Sequence, residues 1–165
     1  MKNLFLVRHA KSDWSVPGQK DFDRELNGRG RSDAPKMGRK LYELESKPDL
    51  IIASPAIRAR FTAELICEQL KFDTERIIYT EDIYEASVRT LMSVINGVED
   101  KYSRVMIFGH NPGFTYLAEY LTKKEIGNIP TCGMVNIEFD VDSWKEVSEG
   151  TGELKNFIYP KKLEL

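Results

Sequence analysis

Cysteine and histidine are scarce in this chain of 165 residues, with two of each. Cys67 and Cys132 lie far apart, one in an apolar stretch and one in a turn, so they make neither a disulfide framework nor a zinc pattern, and two buried, incidental thiols are expected. The histidines have no acidic cluster at ligand spacing beside them, which speaks against a metal centre. An excess of one charge sign is also missing. With 30% charged residues and a formal net charge of -2, the chain has neither the basic surface of a nucleic-acid binder nor the composition of a disordered tail. Long hydrophobic runs are absent too. The apolar run after Lys2 is far too short for a signal-peptide core or a membrane span, so a cytoplasmic protein without a membrane partner is expected. There is no internal repeat, low-complexity tract or linker, and one domain over residues 1–165 is expected.

What is present is an alternation of strand and helix patterns. Short apolar runs at Asn3 to Val7, Leu50 to Ala53, Arg76 to Tyr79 and Val105 to Phe108 read as buried strands. Between them lie helical stretches. Gly30 to Leu44 is amphipathic and carries Pro35 as a kink; Ala56 to Leu70 has apolar residues at helical spacing; Ser87 to Val98 opens on a capping serine; Pro112 to Leu121 follows Asn111. Met134 to Val141 and Leu154 to Tyr159 alternate like the strands of a hairpin. The predicted class is therefore α/β: a three-layer α/β/α sandwich with a mostly parallel central sheet and an antiparallel C-terminal edge.

Functional residues gather where the strands end. In "LFLVRHAKSD" the first strand runs straight into Arg8 and His9, and in "VMIFGHNPGF" another strand runs into His110. Both histidines of the chain thus occupy equivalent positions, and in open α/β sheets ligands bind in the crevice beyond the carboxyl ends of the strands. A third strand end continues into "SPAIRARFTAE", with Ser54 as a natural helix cap, Pro55 at the first helical position and Arg58 one turn inside. Two arginines, two histidines and helix N-termini at one rim form a pocket suited to a dianion such as a phosphoryl group. Taken singly, each of these residues has an ordinary structural explanation. Their joint placement carries the inference.

These segments resemble a known family. "LVRHAKS" is similar to the Arg-His-Gly signature of the histidine phosphatase superfamily, with Ala10 in the glycine position, and "SPAIRARFTAE" resembles its second arginine motif, with Arg58, Ala59, Thr62 and Ala63 in register. "GHNPGF" resembles the second histidine motif in the form found in the small SixA-like phosphohistidine phosphatases, and "LNGRGRSDAPKMGRKL" resembles the segment after their first motif. The resemblance implies a phosphoglycerate mutase-like fold. It implies His9 as the nucleophile that takes the phosphoryl group, Arg8, Arg58 and His110 as the clamp on its oxygens, and no metal or organic cofactor.

A leaving group that needs a proton needs an acid, and "YTEDIYEAS" offers Glu81, Asp82 and Glu85. The resemblance implies Glu85, two residues after an apolar residue as in the family's usual Leu-x-Glu arrangement, with Asp82 as the alternative. Ser12, just beyond His9, and Asn111 are expected to contact the substrate, Asn111 also as a helix cap, while Lys11 adds positive potential. The expected substrate is protein phosphohistidine, as on a histidine phosphotransfer domain. A small phosphorylated metabolite such as a sugar phosphate is the alternative within the same chemistry. A mutase would need long insertions to enclose its substrate, and the chain has none. A phosphate-binding regulator without turnover is the reading from a different class, and the presence of both histidines and both arginines opposes it.

Overall fold

The computed structural model describes residues 1–163. Its strands are β1 (Lys2–Arg8), β2 (Leu50–Ala53), β3 (Ile78–Tyr79), β4 (Arg104–Gly109), β5 (Met134–Phe139) and β6 (Gly152–Ile158). Its helices are α1 (Gly28–Glu43), α2 (Ile57–Leu70), α3 (Val88–Asn96), α4 (Gly113–Thr122) and the short α5 (Pro160–Leu163). The strands form one sheet in the order β3-β2-β4-β1-β5-β6. The β3, β2, β4 and β1 part is parallel, and β5 and β6 add an antiparallel edge, as the alternation of patterns predicts.

The central strands are continuously apolar because helices cover both faces. Along β1, Leu4 and Leu6 point into a cluster with Leu91 and Ile95 of α3 and with Phe114 and Leu117 of α4. Phe5 and Val7 point the other way, toward Ala34, Met37 and Leu41 of α1 and Ile66 and Leu70 of α2. Cys67 and Cys132 are buried free thiols in this second cluster. Among the described residues, no helix is long and apolar enough to cross a membrane.

Several expected boundaries shift by one or two residues, among them the end of β5 at Phe139, the start of β6 at Gly152 and the start of α4 at Gly113, and three shifts have a visible local cause. Helix α1 starts two residues before Gly30 because the Asn27 side chain accepts from the Gly30 N–H at 2.9 Å, and it runs on through Pro35. Strand β3 is shorter than Arg76 to Tyr79, since Asp73 accepts from the Glu75 N–H at 3.0 Å and folds Thr74–Arg76 into a 3-10 turn. Helix α2 begins at Ile57, so Ser54 is not its N-cap and Pro55 is not its first residue. The Ser54 hydroxyl accepts instead from the Ala56 N–H, two residues on, at 3.2 Å, a side-chain turn that steers the chain out of β2. The cap at Ser87 is as expected, with its hydroxyl accepting from the Thr90 N–H.

Two glycines let neighbouring backbones come close enough to build the rim. A Cβ on Gly30 would lie 2.2 Å from the Lys11 carbonyl oxygen, so α1 packs directly on the loop that follows His9. The Asn27 N–H donates to that same carbonyl at 3.0 Å. A Cβ on Gly113 would lie 2.4 Å from the Ala86 carbonyl oxygen, which sets the first turn of α4 against the loop carrying Glu85.

Candidate active site

The register of β1 and β4 explains why two motifs a hundred residues apart meet. Arg8 pairs with Gly109, and the His9 N–H donates to the Gly109 carbonyl at 2.9 Å, so His9 and His110 leave the sheet at the same edge. Their ring centroids are 5.3 Å apart. Arg58, the second residue of α2, reaches the same edge, and one cleft of about 340 Å³ is lined by Arg8, His9, Arg58 and His110 together with Lys11, Ser12, Trp14, Asp21, Arg24, Glu85, Asn111 and Thr131. A single hydroxyl ties the two halves of this edge together. Thr62 accepts from the Ala10 N–H at 2.9 Å and donates to the Arg58 carbonyl at 2.7 Å.

The tautomer of His9 follows from its partner. A carbonyl oxygen can only accept, so the 2.7 Å contact from His9 Nδ1 to the Ala10 carbonyl places the proton on Nδ1 and leaves the Nε2 lone pair free. Burial lowers the His9 pKa to about 4, against the raising effect of the Ala10 hydrogen bond, and the positive charges of Arg58, Arg8 and Arg24 lower it further. His9 is therefore a neutral imidazole at pH 7. Burial likewise brings His110 down to about 3, with His9, Arg58 and Arg8 acting in the same direction and Asp21 opposing. The His110 Nε2 lies 2.7 Å from the Ser54 hydroxyl, which already accepts from Ala56. Ser54 is fully buried, and its own proton finds a partner only by donation to Nε2, which places the His110 proton on Nδ1.

The two imidazoles can be watched directly, since they are the only ones in the chain. An NMR titration should show both rings neutral from pH 8 down to 5, with His9 titrating near 4 and His110 near 3. Either ring titrating near the ordinary value of about 6.5 would contradict the site described. The sign for stability is also set. Both folded pKa values lie below that of the unfolded chain, so the unfolded state binds more protons as pH falls from about 6.5, and the stability linked to these groups is lost across the window down to 4 and 3.

Three polar atoms at the cleft residues are buried without a partner: Arg8 Nε, Arg58 Nε and His110 Nδ1. Buried donors are normally paired, and leaving one unpaired costs about 1–3 kcal/mol. An anion with several acceptor oxygens would pair such donors. Four cationic side chains, Arg8, Lys11, Arg24 and Arg58, stand against the two carboxylates Asp21 and Glu85 among the lining residues, an excess that matches a dianion.

The other expected residues divide by what they touch. Glu85 lines the cleft with an exposed side chain, in a left-handed conformation at φ 49°, while Glu81 and Asp82 are exposed in a 3-10 turn and do not line it. Ser12 is buried and accepts from Arg24. Asn111 does cap α4, accepting from the Thr115 N–H at 3.1 Å, although Pro112 is the formal N-cap residue. Its amide donates to Asn128 and to the Ile129 carbonyl, and the Phe114 and Tyr116 N–H groups donate to His110 and Pro112 carbonyls, so this helix start offers an anion less than its sequence promised.

Sequence reasoning missed Asp21, Arg24 and Tyr84. Arg58 Nη1 and Nη2 donate to the Asp21 carbonyl and carboxylate, Arg24 donates to the same carboxylate, and the Tyr84 hydroxyl donates to it at 2.6 Å. The only trace in sequence is the Asp21–Arg24 spacing in "DFDREL", which looks like any solvated loop.

A neutral imidazole with a free ring nitrogen, arginines and a second neutral imidazole gather at the carboxyl edge of a parallel sheet, an arrangement suited to a phosphoryl group. The model of the histidine phosphatase superfamily (branch 1) matches residues 4–92, and the chain belongs to that superfamily, as a hydrolase of the SixA-like branch. Its fold superposes on a protein assigned as the phosphohistidine phosphatase SixA of Agrobacterium tumefaciens with a TM-score of 0.83 and 28% identity, covering 96% of this chain and 98% of the other. A structure of the protein histidine phosphatase SixA in complex with tungstate shares the fold at a TM-score of 0.84 and 18% identity, over 98% and 99% of the two chains. Among curated proteins, an uncharacterised chloroplastic protein of Arabidopsis thaliana is 29% identical over 96% of this chain and 78% of its own length.

Proposed function

We propose that the protein removes phosphoryl groups from protein phosphohistidine through a covalent intermediate on His9, using no metal and no organic cofactor. The observation that carries this reading is the His9 tautomer: Nδ1 donates to Ala10, so a neutral ring keeps an Nε2 lone pair in an arginine-rich cleft. In the first step Nε2 attacks phosphorus in line while Arg8 and Arg58 neutralise charge on the equatorial oxygens and the bond to the leaving group breaks. In the second step water attacks the phosphorus of phospho-His9, the N–P bond breaks, and inorganic phosphate leaves with His9 again neutral. Burial keeps His9 unprotonated, and the arginines that stabilise the phosphoryl group add to that effect, so nucleophile and clamp work in the same electrostatic direction.

Protein phosphohistidine is favoured as substrate because, with its second ring nitrogen protonated, it leaves as a neutral imidazole whose conjugate acid has a pKa of ~6.5, and so needs no further proton from an acid. A small phosphoester is the second reading, and the exposed Glu85 carboxylate in the cleft favours it, since an alkoxide must be protonated as it leaves. Steady-state kinetics on a phosphorylated histidine phosphotransfer domain and on a panel of phosphometabolites test the two. The proposal expects a higher kcat/KM on the protein. A higher value on a metabolite would transfer the assignment to the second reading, and binding of phosphate without turnover of any substrate would make the protein a regulator.

A further inference from the structure

Asp21 places a full negative charge inside a site meant for an anion. It opens a single 3-10 turn, Asp21–Asp23, on the rim of the cleft. Arg58 Nη1 donates to its carbonyl at 2.7 Å and Nη2 to its Oδ2 at 2.9 Å. Arg24 donates to its Oδ1 from Nη2 at 2.7 Å and from Nε at 3.2 Å. The Tyr84 hydroxyl donates to Oδ2, and the Tyr84 ring meets the His110 ring edge-on at 5.4 Å. Both arginine side chains are buried, at 9% and 5% exposure, whereas the Asp21 side chain is 39% exposed. Partial burial would raise its pKa, but the bonds from Tyr84, Arg24 and Arg58 outweigh this and hold the carboxyl well below the usual carboxylate range.

Orientation of the arginines is shared with the backbone, since the Asp21 carbonyl takes one Arg58 bond by itself, while Oδ2 accepts from Arg58 Nη2 and Tyr84 and Oδ1 accepts twice from Arg24. A carboxylate adds like-charge repulsion toward any dianion that enters, and it holds guanidinium N–H groups of two of the three arginines that line the cleft. Arginines left unopposed around a buried phosphate would retain the product as firmly as they bind the substrate, and uniform tightening of that kind does not raise turnover. We infer that Asp21 sets the affinity for product, as an internal anion that competes for Arg58 and Arg24 and so weakens binding of phosphate enough for it to be released. This rests on the cleft being the phosphoryl site proposed above.

The test is calorimetric titration of inorganic phosphate into the wild-type protein and Asp21→Asn at one pH and ionic strength. The amide variant is expected to bind phosphate about tenfold more tightly, with Asp21→Glu returning the affinity toward wild type. A disrupted site cannot gain affinity, so the direction separates this role from a structural one. Asp21→Ser serves the same comparison should the amide variant fail to fold, since the turn is partly exposed. Equal or weaker binding by folded variants would overturn the inference and leave the phosphoryl site intact. Absence of phosphate binding to every folded form, wild type included, would overturn the site reading itself.

Discussion

Replacing His9 by alanine is expected to lower kcat by about 10⁴-fold or more, the scale seen when an enzyme loses its covalent nucleophile. The variant removes the one ring whose Nε2 is held as a free lone pair by its Nδ1 bond to Ala10. Arg8 and Arg58 remain, so phosphate binding should survive even though turnover does not. The fold should survive as well, because His9 bonds to Gly109 and Cys132 through its backbone, which alanine keeps. Circular dichroism and a phosphate titration on the variant separate loss of chemistry from loss of structure. Residual activity within tenfold of wild type would mean that water attacks phosphorus directly and that His9 is only a wall of the cleft.

Glu85→Gln should split the two substrate classes. An alkoxide is a strong base and must take up a proton in the transition state, and losing a general acid costs about 10²-fold or more. An imidazole leaves without that help. The variant should therefore slow hydrolysis of a phosphoester by about 10²-fold and slow phosphohistidine hydrolysis much less. The geometry favours Glu85 over Asp82 for this test, because Glu85 lines the cleft and Asp82 does not. Equal losses on both substrates would make Glu85 a residue that positions water in the second step, and no loss on either would return it to the solvent.

The strand-end residues were legible in the sequence because the sheet enforces equivalence. Once β1 and β4 are read as parallel neighbours, Arg8-His9 and His110 must emerge at the same edge, and the α/β alternation supplies that reading. Arg58 was legible from the strand that precedes it. Asp21, Arg24 and Tyr84 were not, since each lies in a loop or short turn whose path depends on contacts with distant residues: Asp21 meets Arg58 and Tyr84 across many intervening positions. The Ser54 misreading has the same origin. Ser-Pro before a helical pattern is a fair cap signal, but the competing demand of His110 and the local turn to Ala56 recruited the hydroxyl, and the helix began later. Within "YTEDIYEAS" the resemblance pointed to Glu85, and the structure brings Glu85 rather than Asp82 to the cleft, helped by the close approach of Gly113 to Ala86, a contact that no periodicity predicts.

The central claim is a phosphoryl group carried on His9, and rapid quenching tests it most directly. Wild-type protein mixed with substrate, stopped in alkali and digested should yield acid-labile, base-stable phosphate on the peptide containing His9, with His9→Ala yielding none. Full turnover with no phosphate on that peptide at any quench time, or phosphate found on another residue, would contradict it.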